Sequence, residues 1–304
     1  MKLSRRQFAA TTAAGVAAGC STFDSVVKKG WIDAHVHVWT PDVKAYPLAD
    51  GYTPERMNPQ SFTPEELFEL SRPEGVARIV LIQMSYYQFD NSYMLDMMRK
   101  HAGVFGGVAL LDETQPNVRG RLQALADQGV RGIRLRASKA NAEKWLESDG
   151  MKELWRAGAD LGVAMCPLGN PDALPAIRRM CTAYPDTTVV IDHFARIGVK
   201  GTIDRGDLDN LKSLSEFKNV HVKTSAFYAL GKKAAPYTDL GPMIRELRDT
   251  YGAERLMWAT DCPFQAMRGH TFAESIALIR DRLDFLSAAD KEWMLCKTAE
   301  RVFF

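Results

Sequence analysis

Eight apolar runs of six or seven residues recur along this chain, separated by stretches with the amphipathic pattern of helices. Runs that are apolar on both faces are typical of parallel strands covered by helices on each side. The alternation predicts an α/β fold, a (β/α)8 TIM barrel that forms a single domain. The predicted strands are Ile32–Val38, Ala77–Gln83, Phe105–Leu111, Val130–Arg136, Gly162–Pro167, Thr188–His193, Val220–Ser225 and Leu256–Asp261.

An open, doubly wound sheet is the alternative architecture for this alternation. It usually has a glycine-rich turn after the first strand, and no such turn follows residues 32–38. The start of one intervening helix is marked by Thr63-Pro64-Glu65-Glu66, which combines an N-cap, a proline at the first helical position and a capping-box glutamate. Residues 40–62, rich in proline and tyrosine, are expected to lie over the barrel mouth.

The N-terminal residues predict export. Ser4-Arg5-Arg6-Gln7-Phe8 resembles the twin-arginine motif and precedes an apolar run of signal-peptide length. We therefore expect a signal peptide over residues 1–20, a linker over 21–30 and the barrel over 31–304, with a periplasmic or exported location. A basic tail with a chance arginine pair is the alternative. Cys20 loosely matches a lipoprotein cleavage site without its usual large aliphatic residue, so a lipid anchor stays open.

The charge balance does not support a nucleic-acid partner. The chain has 39 Lys and Arg against 37 Asp and Glu, and loss of residues 1–19 would remove three basic residues and leave a net charge of −1. No apolar run in the body reaches the roughly 18 residues of a membrane span. The four cysteines beyond Cys20 form no Cys-x-x-Cys pair, which excludes a zinc knuckle. The expected partner is a small-molecule substrate.

Ionisable side chains stand at the carboxyl ends of three predicted strands. His35 and His37 share one face of the first strand, His193 ends the sixth and Asp261 ends the eighth. In a (β/α)8 barrel these strand ends meet at one mouth, where catalytic side chains lie. The sequence therefore predicts that three imidazoles and a carboxylate converge.

Further polar residues are expected at the same mouth and point to an anionic substrate. Arg134 and Arg136 share a face of the fourth strand, Lys223 and Ser225 share a face of the seventh, and Gln83 closes the second. Arginine at a strand end is suited to binding a carboxylate, although a structural ion pair is the alternative. Two acids beside the site histidines, Asp33 and Asp192, are expected to face the other way and to brace loops.

This residue set suits hydrolysis of a carbonyl substrate. Cleavage of an ester or lactone needs a base for water and positive character at the carbonyl oxygen as charge develops. Asp261 is the predicted base. His35, His37 and His193 are expected to polarise the carbonyl directly or through one divalent metal ion.

Five motifs occur in a characteristic order: Asp33–Trp39, Gly129–Arg134, Val190–His193, Asn219–Lys223 and Tyr251–Pro263. Together they resemble the amidohydrolase superfamily, specifically the amidohydrolase-related branch that includes 2-pyrone-4,6-dicarboxylate lactonase and sugar-acid lactonases. The resemblance covers about residues 31–304 and implies that His35, His37, His193 and Asp261 are functional. Cys262 departs from the family pattern, which has tryptophan there, and this difference concerns substrate contacts.

The resemblance also bears on whether this chain binds a metal ion. Metal-dependent members of the superfamily commonly add a histidine on strand five or a carboxylated lysine on strand four, whereas this chain has Ala164–Pro167 and two arginines there. The usual binuclear site is therefore excluded. A single Zn²⁺ held by His35, His37, Asp261 and His193 stays open, beside the metal-free hydrolysis known in the lactonase branch.

The sequence thus predicts a lactonase-like hydrolase whose substrate is a carboxylate-bearing lactone or cyclic ester. A mononuclear metal-dependent decarboxylase or amidase on the same barrel is one alternative. A non-catalytic periplasmic binding protein is another, although such a protein has no reason to keep a carboxylate facing three imidazoles. The substrate itself and the oligomeric state are not specified by the sequence.

Overall fold

The computed structural model describes residues 30–304, in which eight parallel strands pair in sequence order. Helices alternate with the strands, so the predicted (β/α)8 barrel is confirmed. The predicted signal peptide lies outside the described residues, as does the predicted linker apart from Gly30. The strands are β1 (Trp31–Val36), β2 (Val76–Ile82), β3 (Phe105–Ala109), β4 (Val130–Ala137), β5 (Ala164–Gly169), β6 (Val189–Ile191), β7 (Val220–Ser225) and β8 (Leu256–Ala259).

The helices begin where the sequence provides capping groups. Thr63 accepts a hydrogen bond from the Glu66 amide, and the Glu66 carboxylate accepts one from the Thr63 amide at 2.6 Å, which confirms the predicted capping box. None of the helices within residues 30–304 is long and apolar enough to cross a bilayer. They are α1 (Pro64–Ser71), α2 (Ser92–Lys100), α3 (Val118–Ala126), α4 (Lys139–Ala142), α5 (Asp149–Leu161), α6 (Leu174–Ala183), α7 (Arg205–Ser213), α8 (Gly241–Tyr251), α9 (Phe272–Ala277), α10 (Ala288–Glu292) and α11 (Thr298–Phe303).

Two apolar layers hold the barrel together. The outer layer packs the strands against the helices and contains most of the buried hydrophobic residues. The inner layer fills the barrel, so the interior is a packed core, and it includes two residues of α11. Its members are Ile32, Ala34, Val80, Ile82, Val108, Ala164, Cys166, Val190, Met257, Ala259, Ala299 and Phe303.

The seam between β1 and β8 closes the barrel. The Asp261 amide donates to the His35 carbonyl at 2.9 Å, and the His37 amide donates to the Cys262 carbonyl at 2.9 Å. Below these bonds, the buried Asp33 carboxylate accepts hydrogen bonds from the Thr260 amide at 2.9 Å and hydroxyl at 2.5 Å. Asp33 is therefore the brace that the sequence predicts, and the seam holds the first and last strand ends side by side.

Candidate active site

His35 lies within β1, whereas His37, His193 and Asp261 lie one or two residues past the ends of β1, β6 and β8. The sequence prediction ended the sixth and eighth strands at His193 and Asp261, but β6 ends at Ile191 and β8 at Ala259. Both residues have a left-handed backbone, with φ of 50° at His193 and 69° at Asp261. Non-glycine residues rarely adopt this conformation, and here it takes the side chains out of the strand alternation. The predicted boundaries were therefore too long.

Asp261 is the centre of the cluster. Its Oδ1 lies 3.4 Å from His35 Nε2, 3.4 Å from His37 Nε2 and 3.8 Å from His193 Nε2. His35 is fully buried, and the other three side chains are almost so. The convergence expected from the strand ends is therefore present, with three imidazole nitrogens facing one carboxylate oxygen.

Hydrogen bonds beyond the cluster fix the orientation of its members. His37 Nδ1 donates to the Ile82 carbonyl at 2.9 Å, so in a neutral His37 the Nε2 atom presents a lone pair to Asp261. His193 Nδ1 lies 2.8 Å from Ser225 Oγ. The Tyr228 hydroxyl donates to Asp261 Oδ2 at 2.7 Å and leaves Oδ1 to the imidazoles. A cation between His37 Nε2 and Asp261 Oδ1, either a proton or a metal ion, relieves the repulsion between the two lone pairs.

A buried ionic layer lies beneath His35. Lys223 Nζ is 3.0 Å from Asp192 Oδ1 and 3.2 Å from His35 Nδ1, and Arg134 is 2.9 Å from Asp192 Oδ2 and 3.0 Å from His35 Nε2. The expectation that Asp192 faces away and braces a loop was wrong, because β6 ends before it and its carboxylate turns into the barrel. There it balances the two buried cations, which would be costly without a partner.

Two residues predicted to bind substrate lie under the site instead of lining it. Lys223 is fully buried between His35 and Asp192, and Ser225 is fully buried behind His193. Neither side chain has a surface that a substrate can reach. Their placement corrects the prediction of direct contact: both residues orient the histidines above them.

Burial and mutual charge set the protonation states. Burial and the Lys223 ammonium hold the pKa of His35 well below its usual range, and burial lowers the pKa of His193. Burial alone would raise the pKa of Asp261, but the imidazoles of His193, His37 and His35 bring it below its usual range. Lys223 acts in the same way on the pKa of the buried Asp192. At neutral pH the two carboxylates are therefore ionised while His35 and His193 are neutral.

A cavity of about 500 Å³ opens above the cluster, a size typical of ligand sites. His37, His193 and Asp261 form part of its floor. Tyr52, from the long connection after β1, contributes to its wall as that connection was expected to do. The cavity therefore gives a small molecule access to Asp261.

Three predicted substrate-binding residues do line this cavity: Gln83, directly after β2, and Arg134 and Arg136 of β4. Arg134 is almost buried and ion-paired, Arg136 is exposed, and Gln83 uses its amide nitrogen to bind the Gln88 and Asp90 carbonyls at 3.1 and 2.6 Å. Arg134 therefore forms a structural ion pair and also lies in the cavity wall, the two roles that the sequence left open.

Among the lining residues that the sequence did not indicate, Arg196 and Tyr228 bear on the chemistry of the site. Arg196 is exposed in the turn that follows β6, and Tyr228 lies three residues beyond β7. Both residues lie in connections that follow the carboxyl end of a strand. This position in the sequence was the only feature that could have indicated them as site residues. With Arg134 and Arg136, Arg196 places three guanidinium groups around the cavity.

The donor set fits a single divalent metal. The donor atoms of His35, His193 and Asp261 all lie within 4.8 Å of one another, and His37 Nε2 is 3.4 Å from Asp261 Oδ1. Nitrogen and oxygen ligands of tetrahedral zinc, with bonds of about 2.0–2.2 Å, are separated by about 3.3–3.5 Å. The Ile82 carbonyl on His37 Nδ1 is a typical outer partner of a ligating histidine. The Arg134 guanidinium, 3.0 Å from His35 Nε2, competes with a metal for that nitrogen.

Comparison with known proteins gives the family. The sequence model of the amidohydrolase family matches residues 32–304. The chain belongs to the amidohydrolase family. This amidohydrolase is 31% identical to a 2-pyrone-4,6-dicarboxylate hydrolase from Comamonas testosteroni over 79% of each chain. It is 29% identical to an L-fucono-1,5-lactonase from Burkholderia ambifaria over 79% of this chain and 82% of the relative. Family and relatives agree with the enzyme class that the sequence predicts.

Solved structures show the same fold. A Pseudomonas putida protein assigned as a 2-pyrone-4,6-dicarboxylic acid hydrolase superposes on this amidohydrolase with a TM-score of 0.76 at 26% identity, covering 90% of this chain and 97% of that one. A zinc-bound amidohydrolase from Burkholderia multivorans gives a TM-score of 0.72 at 19% identity, covering 90% and 98% of the two chains. At that identity the second likeness concerns the fold alone.

Proposed function

We propose that this amidohydrolase hydrolyses a lactone that carries a carboxylate group. The observation that carries the proposal is the Asp261 carboxylate, held ionised beneath a substrate-sized cavity and surrounded by three imidazoles. The relatives named as lactonase and pyrone dicarboxylate hydrolase support lactones as the substrate class.

Asp261 acts as the general base. It accepts a proton from water as the water oxygen bonds to the lactone carbonyl carbon, and the ring C–O bond then breaks. The released alkoxide takes the proton back from Asp261 and leaves as the alcohol of a hydroxy acid. Tyr228 holds Oδ2 throughout, which leaves Oδ1, beside the imidazoles, to accept the proton. His193 lies in the cavity floor, and when its Nδ1 accepts from the Ser225 hydroxyl its Nε2–H faces the developing oxyanion; His37 supplies a donor there only in its protonated form.

The three guanidinium groups bind the substrate carboxylate. Arg136 and Arg196 are exposed at the cavity wall, and Arg134 lies deeper. Asp261 is the one carboxylate among the residues that line this cavity, so an anionic substrate meets mostly positive charge. Arginine favours carboxylates through paired hydrogen bonds.

A metal, where present, would be held by His35, His37, His193 and Asp261, and would polarise the carbonyl as a Lewis acid. We expect at most one zinc ion per chain, since the described part of the chain offers one cluster of ligands. Elemental analysis of protein purified without chelator measures this. Full lactonase activity at less than a tenth of an equivalent of metal would contradict a metal route.

Substrate preference tests the function. A panel of lactones is offered as matched pairs with and without a carboxylate, and acid release is followed with a pH indicator. We expect hydrolysis of the carboxylated members with a KM at least tenfold lower than that of their neutral partners. Release of carbon dioxide from an aromatic acid would favour the decarboxylase alternative, and release of ammonia from an amide would favour the amidase. Binding of lactones without any turnover would favour the binding protein.

Export through the twin-arginine route is part of the proposal. Its support is the Arg5-Arg6 pair before an apolar run. Fractionation of cells that express the full chain should find the protein in the periplasm, and R5K/R6K should leave it in the cytoplasm. Retention of the wild-type chain in the cytoplasm would contradict export. Mass spectrometry of the mature N-terminus shows whether Cys20 is lipidated.

A further inference from the structure

A second chamber adjoins the cavity above Asp261. It has a volume of about 340 Å³ and shares Leu110, Arg134 and Arg136 with the larger cavity. Both volumes fall in the range of about 300–1,000 Å³ that ligand pockets occupy. The chamber is formed by the connections after β2 and β3 together with β4 and the segment around α4. A molecule bound over Asp261 can therefore extend past Arg136 into it.

Part of the wall of this side chamber is apolar and includes two aromatic side chains. Phe89, Trp145, Leu135 and Met151 line it. Phe89 is 49% exposed, one of two large hydrophobic side chains so exposed among residues 30–304. An exposed aromatic ring beside a buried one suits a flat apolar group, which gains from stacking as well as from burial.

The charges of the side chamber favour an anion. Arg136 and Lys144 line it and are exposed, and Glu113 is the one carboxylate among the lining residues. Within residues 30–304 neither Arg136 nor Lys144 forms an ion pair, whereas many other surface arginines and lysines do. Two unpaired cations at the edge of an apolar chamber are arranged to receive an acidic group attached to an apolar one.

We propose that the side chamber is a specificity subsite for an aryl substituent that bears a carboxylate. The inference rests on the proposed lactone hydrolysis for the position of the reacting ring, which lies over Asp261. Arg136 stands at the junction of the two chambers, and the aryl group stacks on Phe89 with its carboxylate toward Lys144. The substrate class is then a lactone with a carboxyaryl arm.

Matched substrates and surface variants test this subsite. The substrates are γ-butyrolactone-γ-carboxylate and its analogue with a 4-carboxyphenyl arm. The variants are F89A, K144Q and their combination, with K139Q as control, since Lys139 is an exposed lysine of α4 outside the chamber lining. We expect each single variant to raise KM for the carboxyaryl lactone about five- to tenfold with kcat within twofold, and to leave the smaller lactone unchanged. K139Q should match the wild type on both.

A binding measurement separates this subsite from the proposed function. Calorimetry with 4-butylbenzoate as probe, which carries its carboxylate on the ring, should give a Kd that rises at least fivefold in the F89A/K144Q double variant and stays within twofold in K139Q. Binding with this pattern in the absence of any lactone hydrolysis would leave the subsite standing and contradict the proposed function. Equal KM values for the carboxyaryl lactone in the wild type and the double variant, or equal probe affinity in both, would overturn the subsite.

Discussion

Three residues of this site are each oriented by a hydrogen bond to a neighbouring group. His37 is oriented by the Ile82 carbonyl, His193 by Ser225 and Asp261 by Tyr228. Each of these partners forms one hydrogen bond, and that bond fixes the orientation of the site residue. Such partners are typical of preorganised sites, where reacting groups must be held in one orientation.

Tyr228→Phe tests this at the residue scale. Loss of the hydrogen bond to Asp261 Oδ2 removes about 1.5–3 kcal/mol of stabilisation from the carboxylate, so kcat/KM should fall about 10- to 100-fold. The apparent pKa of the acidic limb of the pH–rate profile should rise, because the ionised form of Asp261 loses a donor. Tyr184→Phe, at a partly buried tyrosine outside the cavity lining, is the control. An unshifted acidic limb in Y228F would show that Tyr228 does not position the base.

Among the elements, the β1–β8 seam brings the site residues of the first and last strands together. Backbone hydrogen bonds join His35 to Asp261 and His37 to Cys262, and Asp33 anchors the seam from below. Asp33 is fully buried in the seam, and this burial raises its pKa to about 7. The strand that begins the barrel and the strand that ends it therefore share one polar centre.

Thr260→Val tests the seam. The substitution leaves the buried Asp33 carboxylate without its hydroxyl donor, and we expect the free energy of unfolding to fall by about 2–3 kcal/mol. Urea denaturation followed by circular dichroism measures the change. Thr114→Val is the matched control, since Thr114 donates to Asp112 at an exposed turn and should change stability by less than about 1 kcal/mol. Equal effects of the two variants would contradict the role given to the seam.

The elements also show how far sequence reasoning reaches. Eight apolar runs were enough to predict the barrel, and strand-end positions were enough to bring His35, His193 and Asp261 together. The direction of Asp192 was not predictable, since strand alternation fails once β6 ends at Ile191 and the backbone turns left-handed at His193. Tyr228 was not predicted for a related reason. A connection between elements has no regular periodicity from which the direction of its side chains can be inferred.

At the scale of the whole molecule, the two ends of the barrel differ in chemistry. The active site and its ionic layer lie at the carboxyl ends of the strands. The first residues of β7 lie at the opposite, amino-terminal end of the barrel. There His221 is nearly buried, with Nδ1 3.2 Å from the Asn219 carbonyl and Nε2 3.4 Å from Arg301. Burial and the Arg301 charge lower the pKa of His221 to about 4.

This histidine predicts a pH dependence of stability. In the unfolded chain His221 takes up a proton below a pKa of about 6.5, whereas in the folded chain its pKa is about 4. Protonation therefore favours the unfolded chain, and the free energy of unfolding decreases as the pH falls from about 6.5 to about 4. A shift of this size corresponds to at most about 3 kcal/mol. Urea denaturation at pH 7.0 and 4.5 should show a loss in the wild type that is reduced by 1–3 kcal/mol, roughly, in His221→Gln. The same loss in both proteins would contradict the assignment.

The proposed lactone hydrolysis depends on Asp261 as the base that activates water. The most direct test compares the single-turnover rate of Asp261→Asn with that of wild type on a carboxylated lactone that the wild type hydrolyses. Asp127→Asn, at an exposed aspartate beyond the end of α3, controls for the substitution itself. We predict a fall of at least about 10³-fold in rate for D261N with substrate Kd within fivefold, since the amide cannot accept the proton. A D261N rate within tenfold of the wild type, in a protein that still folds and binds, would contradict the mechanism.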